Sequence, residues 1–260
     1  MTIGYATEQR SSKLSPWAIN QVLVVLLGGL LGGGAQAASL APPFVGCPAD
    51  GMSGPTPPPA SLLIPIAHTD RLALYAAAGM KVLAPRGWHC IEIYGSGGAV
   101  LLVTPHLYTA GALAGFKTLV GPAVEVLFLN GENSGRGQVA EVFSRLFPLK
   151  HQFIRETAEI SKPARRYPTG PFPTDSTVRR SYTEVDYTTP PHHEGMGTFS
   201  SRLRPDAAAI VGTATLARSN GVDSVVLVNV RLPPRLRSLA PDILAAAGTA
   251  RVGSELGIAR

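Results

Sequence analysis

The chain predicts an α+β fold: an antiparallel sheet with helices packed on it, one disulfide, and an N-terminal signal peptide. Two pairs of apolar runs are joined by glycine-bearing turns, Cys90 to Tyr94 with Ala99 to Val103 through Gly95-Ser96-Gly97-Gly98, and Ala208 to Ala217 with Asp223 to Val230 through Ser219-Asn220-Gly221. Glycine supplies the positive φ that tight hairpins need, and Asn-Gly between apolar runs is a strong short-range hairpin signal. Between the hairpins, Gln138 to Phe147 changes period, with Val139, Val142, Phe143 and Leu146 on one helical face. Mixed helices and antiparallel hairpins in one chain point to helices layered on a sheet.

Residues 1–37 have the three parts of a signal peptide. Arg10 and Lys13 form a positive start, Trp17 to Gly34 is apolar, and Ala35-Gln36-Ala37 fits the small-residue cleavage pattern. The glycines between Gly28 and Gly34 weaken the stretch as a membrane span, which needs about 20 apolar residues. Removal takes Arg10, Lys13 and Glu8, so the formal charge falls from +6 to one unit less. What remains is expected as a Pro-rich arm, 38–61, and one α+β domain, 62–260, in the periplasm or secreted. Cys47 and Cys90, the only cysteines, are expected to pair there. The rival is a nucleophilic Cys90 activated by His89, but adjacent strand residues point to opposite faces.

In the arm, Pro42, Pro43, Pro48, Pro55 and Pro57 to Pro59 remove backbone donors and forbid helix. Leu62 to Ile66 reads as an edge strand interrupted by Pro65. A helix is expected from Thr69 as N-cap, with Leu72, Tyr75 and Ala76 on one face and Gly79 as its stop. Next come an extended approach, a Pro85-Arg86-Gly87-Trp88 corner, and the first hairpin, read as the stapled centre of the fold. Trp88 is either a core anchor or an exposed stacking platform. Tyr108 to Val120 reads as short helix or loop, Val124 to Leu129 as a buried strand, and Lys150 to Ile160 as strand or helix. Lys162 to Asp175 is a long exposed coil, Arg180 to Thr188 a strand, and Leu239 to Ala247 a terminal helix.

Two stretches, Phe44 to Pro105 and Tyr182 to Pro234, carry Gly46-Cys47-Pro48 with Asp50-Gly51, Ala84-Pro85-Arg86-Gly87-Trp88-His89-Cys90, Tyr94-Gly95-Ser96, Thr104-Pro105, Gly195-Met196-Gly197-Thr198 and Val230-Arg231-Leu232-Pro233-Pro234. In these the chain resembles a group of uncharacterised exported bacterial proteins, a resemblance that brings no activity with it. More distantly, the order of helix, extended segment into Pro-x-Gly-Trp, later hairpin and closing helix is similar to that of PsbP/Mog1-type domains. That likeness implies a protein that binds partners.

Several motifs bear on chemistry. Gly135-Arg136-Gly137-Gln138-Val139-Ala140 has the G-x-G-x-x-A spacing of a dinucleotide site, with Glu156 further on for a ribose. A loop separates it from Leu129 and no βα repeat follows, so a glycine-rich helix start is expected and no cofactor. His192 and Glu194 would share a face of an extended segment as metal ligands, completed by His68, His89 or His106. The plainer reading is a solvated Pro-Pro-His-His loop. G-x-S-x-G is absent, and Phe116 before Lys117-Thr118 breaks a phosphate loop.

Between Arg145 and Arg180 stand eight Lys and Arg against Glu156, Glu159 and Asp175. This segment is either a contact for an anionic envelope component or a solvated face; no nucleic acid is expected outside the cytosol, and only Tyr167 and Phe172 are interleaved as aromatics. The expectation is an exported, non-catalytic binding or accessory protein of the cell envelope. The alternative is an exported hydrolase or metal-dependent enzyme using His89, His106 and His192, with Trp88 and Glu194 beside them.

Overall fold

The computed structural model describes residues 41–49, 67–77, 79–113, 118–161, 163–219 and 221–249. The signal peptide and the run Leu62 to Ile66 lie outside the described residues. Three strands, β1 (Phe44–Gly46), β2 (Leu72–Ala77) and β3 (Met80–Pro85), make a small sheet. In it β1 runs parallel to β2, and β2 antiparallel to β3. The arm that the sequence set apart thus supplies a strand.

Seven more strands form one antiparallel sheet: β4 (His89–Gly95), β5 (Gly98–Thr104), β6 (Ala123–Leu129), β7 (Ser176–Arg179), β8 (Glu184–Thr189), β9 (Ile210–Ser219) and β10 (Val222–Arg231). Their order is β4-β5-β6-β10-β9-β8-β7. β6 and β10 hold the middle because they are the strands most able to be buried on both faces. Every residue of β6 is buried, and the pair runs from Val225 opposite Leu129 to Arg231 opposite Ala123.

Alternation along these two strands separates two cores. Val124, Val126 and Phe128, with Val228 and Val230, face the small sheet and α4 (Ala240–Thr249). Leu127, Leu129, Val225 and Leu227 face the other way, onto Val139, Val142, Phe143 and Leu146 of α2 (Arg136–Leu146). A 3-10 turn from Pro148 to Lys150 redirects the chain into α3 (His151–Ile160), where Phe143 and Phe153 meet edge to face at 5.1 Å. A short α1 (Ala110–Leu113) caps a third cluster around Ile91, Leu102 and Leu203. The fold is α+β with helices packed on an antiparallel sheet.

The disulfide Cys47–Cys90 is present, with its Cα atoms 5.3 Å apart. It ties β1 to the first hairpin, but that hairpin forms the edge of the large sheet and not its centre. Of the turn glycines expected to supply positive φ, only Gly98 does; Gly95 and Gly97 do not. Gly98, at φ +139, sits so close to the Phe128 carbonyl that a Cβ there would overlap it.

Two expectations are corrected. The helix from Thr69 is strand β2: all six residues, Leu-Ala-Leu-Tyr-Ala-Ala, are buried between β1 and β3. A strand buried on both faces shows no alternation, and tertiary pairing overrides alanine's helix preference. The strand expected over Arg180 to Thr188 starts at Glu184, and a separate β7 precedes it. All four β7 residues are exposed, so no apolar pattern marked it. Residues 163–175 are coil and mostly exposed, as expected, and are held to α2 where Gly170 N–H donates to Ser144 O at 3.0 Å and the Phe172 ring carries the Arg145 guanidinium at 3.6 Å.

Candidate functional site

Pro85 to Trp88 turns the chain from β3 into β4, and Tyr75 of β2 holds the turn. Its hydroxyl donates to Pro85 O at 2.8 Å, with Trp88 O at 3.1 Å as second acceptor, and receives Trp88 N–H at 3.0 Å. Burial raises the pKa of that hydroxyl. Trp88 is partly buried and packs on the core shared with α4. With Cys90 in the disulfide there is no thiol beside His89.

His89, His106, His151, His192 and His193 are exposed, whereas His68 is half-buried and its Nδ1 lies 2.7 Å from Asp242 Oδ2. His89 stands opposite Thr104, whose hydroxyl donates to His106 O at 2.7 Å. His192 lies at a left-handed φ of 62, in the loop after β8, where its N–H donates to Asp206 O. Glu194 accepts from the Thr198 hydroxyl at 2.8 Å. Among the described residues, no three His, Cys, Asp or Glu stand close enough to hold a metal ion.

The G-x-G-x-x-A stretch does start α2, but the protein itself fills the space around its glycines. A Cβ on Gly135 would run into the Asn130 and Gly97 carbonyls, so this glycine exists to let the first hairpin approach. A Cβ on Gly137 would only touch the Tyr167 hydroxyl, at 3.5 Å. Glu156, the acid in the ribose position, pairs with Arg136 at 3.4 Å.

Polar groups that sequence reasoning did not single out lie beneath the sheet. Glu125, fully buried in β6, accepts from the Ser201 hydroxyl at 2.5 Å, Arg202 N–H at 2.7 Å and Asn229 Nδ2 at 3.0 Å. Tyr187 donates to Asn229 Oδ1 at 2.7 Å. Burial pushes the Glu125 carboxyl and the Tyr187 hydroxyl up, and the three donors pull Glu125 back. Arg231, also buried, donates to the carbonyls of Gly121, Arg204 and Leu119. Burial lowers its pKa, while the nearby Asp206 and Glu125 oppose that. The network ties the loop 190–206 to the sheet, and its closure from solvent suits support and not catalysis. A single Glu in Val-Glu-Val-Leu-Phe-Leu and a single Asn in Val-Val-Leu-Val-Asn-Val were the available signals.

Gly195-Met196-Gly197-Thr198 belongs to the same support. Met196 N–H donates to Asp175 Oδ2 at 2.7 Å and Gly197 N–H to Thr189 Oγ1 at 3.0 Å. The turn thus binds the end of β8 to the strap over α2. On the opposite face of the sheet, Glu92 of β4 is only 2% exposed, and its Oε2 has no hydrogen-bond partner among the described residues. Its N–H donates to Pro48 O of the arm, and burial lifts its carboxyl to about 7.

An open cleft of about 750 Å³ lies between the α2–α3 corner and the ends of the β7–β8 and β9–β10 hairpins. Phe147, Leu149, Leu216 and Ala217 give it apolar walls, with Leu149 77% and Tyr182 74% exposed at its mouth. Lys150, Arg179, Arg218 and Asp223 supply its charge. Asp223 pairs with Lys150 at 2.7 Å and lies 3.7 Å from Arg218. Arg179, in contrast, spends its N–H groups on carbonyls, Leu146 O at 2.5 Å and Ser181 O at 3.4 Å. It pairs with no carboxylate among the described residues. Lys150 and Arg179 come from the basic segment that the sequence marked; Arg218 and Asp223 join them only through the fold. No family model, curated protein or solved structure matches this chain.

Proposed function

We propose that this chain is an exported, non-catalytic binding or accessory protein of the cell envelope, akin to the exported group its motifs resemble, and that it meets an anionic partner at the cleft and the basic segment leading into it. The observation that carries this reading is that Lys150, Arg179 and Arg218 line one cleft with a single carboxylate, Asp223, which pairs with Lys150 and lies near Arg218 and leaves Arg179 without a carboxylate among the described residues. Three cations against one anion leave positive potential that a negative partner would neutralise. The disulfide supports the compartment, because such bonds persist in oxidising environments and are rare in reducing ones. None of the described helices is long and apolar enough to cross a membrane. The enzymatic alternative needs titratable groups converging in one pocket, and no histidine lines this cleft.

The test is retention on anionic vesicles and on a soluble polyanion at low and high salt. Exposed charges are screened over about 8 Å at physiological ionic strength, so retention should fall steeply as salt rises. Arg179→Gln with Arg218→Gln should weaken it further. No retention at low salt, or retention indifferent to salt, overturns the reading.

A further inference from the structure

The cleft is built for more than charge. Its walls are Phe147, Leu149, Leu216 and Ala217, with the Tyr182 ring exposed at the entrance, while Lys150 and Arg218 stand at Asp223 and Arg179 lines the same cleft. A polyanion lying on a surface would leave these apolar walls in water. A ligand with an apolar chain beside its negative group would cover both, at about 25 cal/mol for each Å² of apolar surface removed from water. The volume, about 750 Å³, falls within the range of about 300–1,000 Å³ in which a pocket encloses one small ligand.

Charge narrows the head group. Three cations against one carboxylate leave an excess of two positive charges. A carboxylate would neutralise half of that, whereas a phosphate monoester carries about −1.5 to −2 at neutral pH. Arg179 has the geometry to receive it. The last turn of α2 and the β7–β8 turn hold its guanidinium through Leu146 O and Ser181 O, and the remaining N–H donors are left for a ligand. Resting on the anion-binding reading above, we infer that the cleft takes one molecule of a single-chain amphiphile with a phosphate-monoester head, the phosphate at Arg179, Lys150 and Arg218 and the chain along Phe147, Leu149 and Leu216.

Calorimetry of the disulfide-bonded protein at low salt and pH 7 tests this, with alkyl phosphates kept below their micellar concentrations. Decyl phosphate should bind one to one and at least tenfold more tightly than inorganic phosphate, decanoate or a neutral decyl glycoside. Lengthening the chain from hexyl to decyl should tighten binding about two- to fourfold per methylene, the upper figure matching about 0.8 kcal/mol for a fully buried CH₂. Leu149→Asp, at a position too exposed to hold the core, should weaken decyl phosphate at least tenfold. Ile160→Asp, at an exposed apolar position on α3 that lines no part of the cleft, should leave binding unchanged. Equal affinity for inorganic and decyl phosphate, indifference to Leu149→Asp, or an equally tight decanoate overturns the inference. Salt-sensitive retention on anionic vesicles without uptake of decyl phosphate overturns it and leaves the broader reading standing. Failure of both removes both.

Discussion

Glu92 gives the strongest test of how burial acts in this fold. Its backbone N–H bonds Pro48 O of the disulfide-held arm, one carboxyl oxygen has no partner among the described residues, and burial lifts the carboxyl from 4.5 to about 7. The folded chain therefore holds a proton that the unfolded chain releases. Folding takes up that proton between pH 4.5 and about 7, so stability is fully present below this window and falls as pH rises through it. At 1.36 kcal/mol per pH unit, the loss is about 3 kcal/mol by pH 8. Glu92→Gln cannot ionise and should lack this fall. The amide adds a buried donor with its own cost of about 1–3 kcal/mol, so the measurement is the slope of stability against pH and not its absolute value. Denaturant unfolding of both proteins, without reductant, should show wild type losing about 3 kcal/mol more than the variant between pH 4 and 8. Glu125 and Asp175, whose carboxyls burial also raises, are common to both proteins and cancel in the difference. Parallel pH curves would refute the assignment of a protonated, buried Glu92.

Replacing Cys47 and Cys90 by Ser opens a link between residues 43 apart and should cost about 4 kcal/mol by loop entropy, seen as a lower unfolding midpoint that reductant no longer changes. Gly135→Ala drives a methyl group into the Asn130 and Gly97 carbonyls, so a loss of about 1–3 kcal/mol is expected, and an unaltered melting temperature would show that the turn yields freely. Trp88→Ala should cost about 2 kcal/mol, below the 3–5 typical of a fully buried ring because Trp88 is only partly enclosed. No change in melting temperature would return Trp88 to the role of a ligand platform.

Local patterns determined a good deal. The β4–β5 and β9–β10 hairpins, strand β6 and helix α2 are each specified by residues adjacent in the chain, through turn glycines, β-branched runs or the helical spacing of Val139, Val142, Phe143 and Leu146. Two cysteines in a chain with an export-like start were enough to expect their pairing. What the tertiary structure decided has a different physical origin. Leu72 to Ala77 carries helical spacing and yet forms a strand, because only its two neighbouring strands supply the burial and the hydrogen bonds that outweigh propensity. β7 has no pattern to read, since an exposed edge strand is defined by its partner alone. The cleft was legible only in part: a basic segment could be counted, but its apolar walls and Arg218 come from strands and corners far apart in sequence, and nothing short of chain folding brings them to one place. Burial of Glu92 and Glu125 likewise depends on what is stacked above them, and the sequence of a single strand does not carry that.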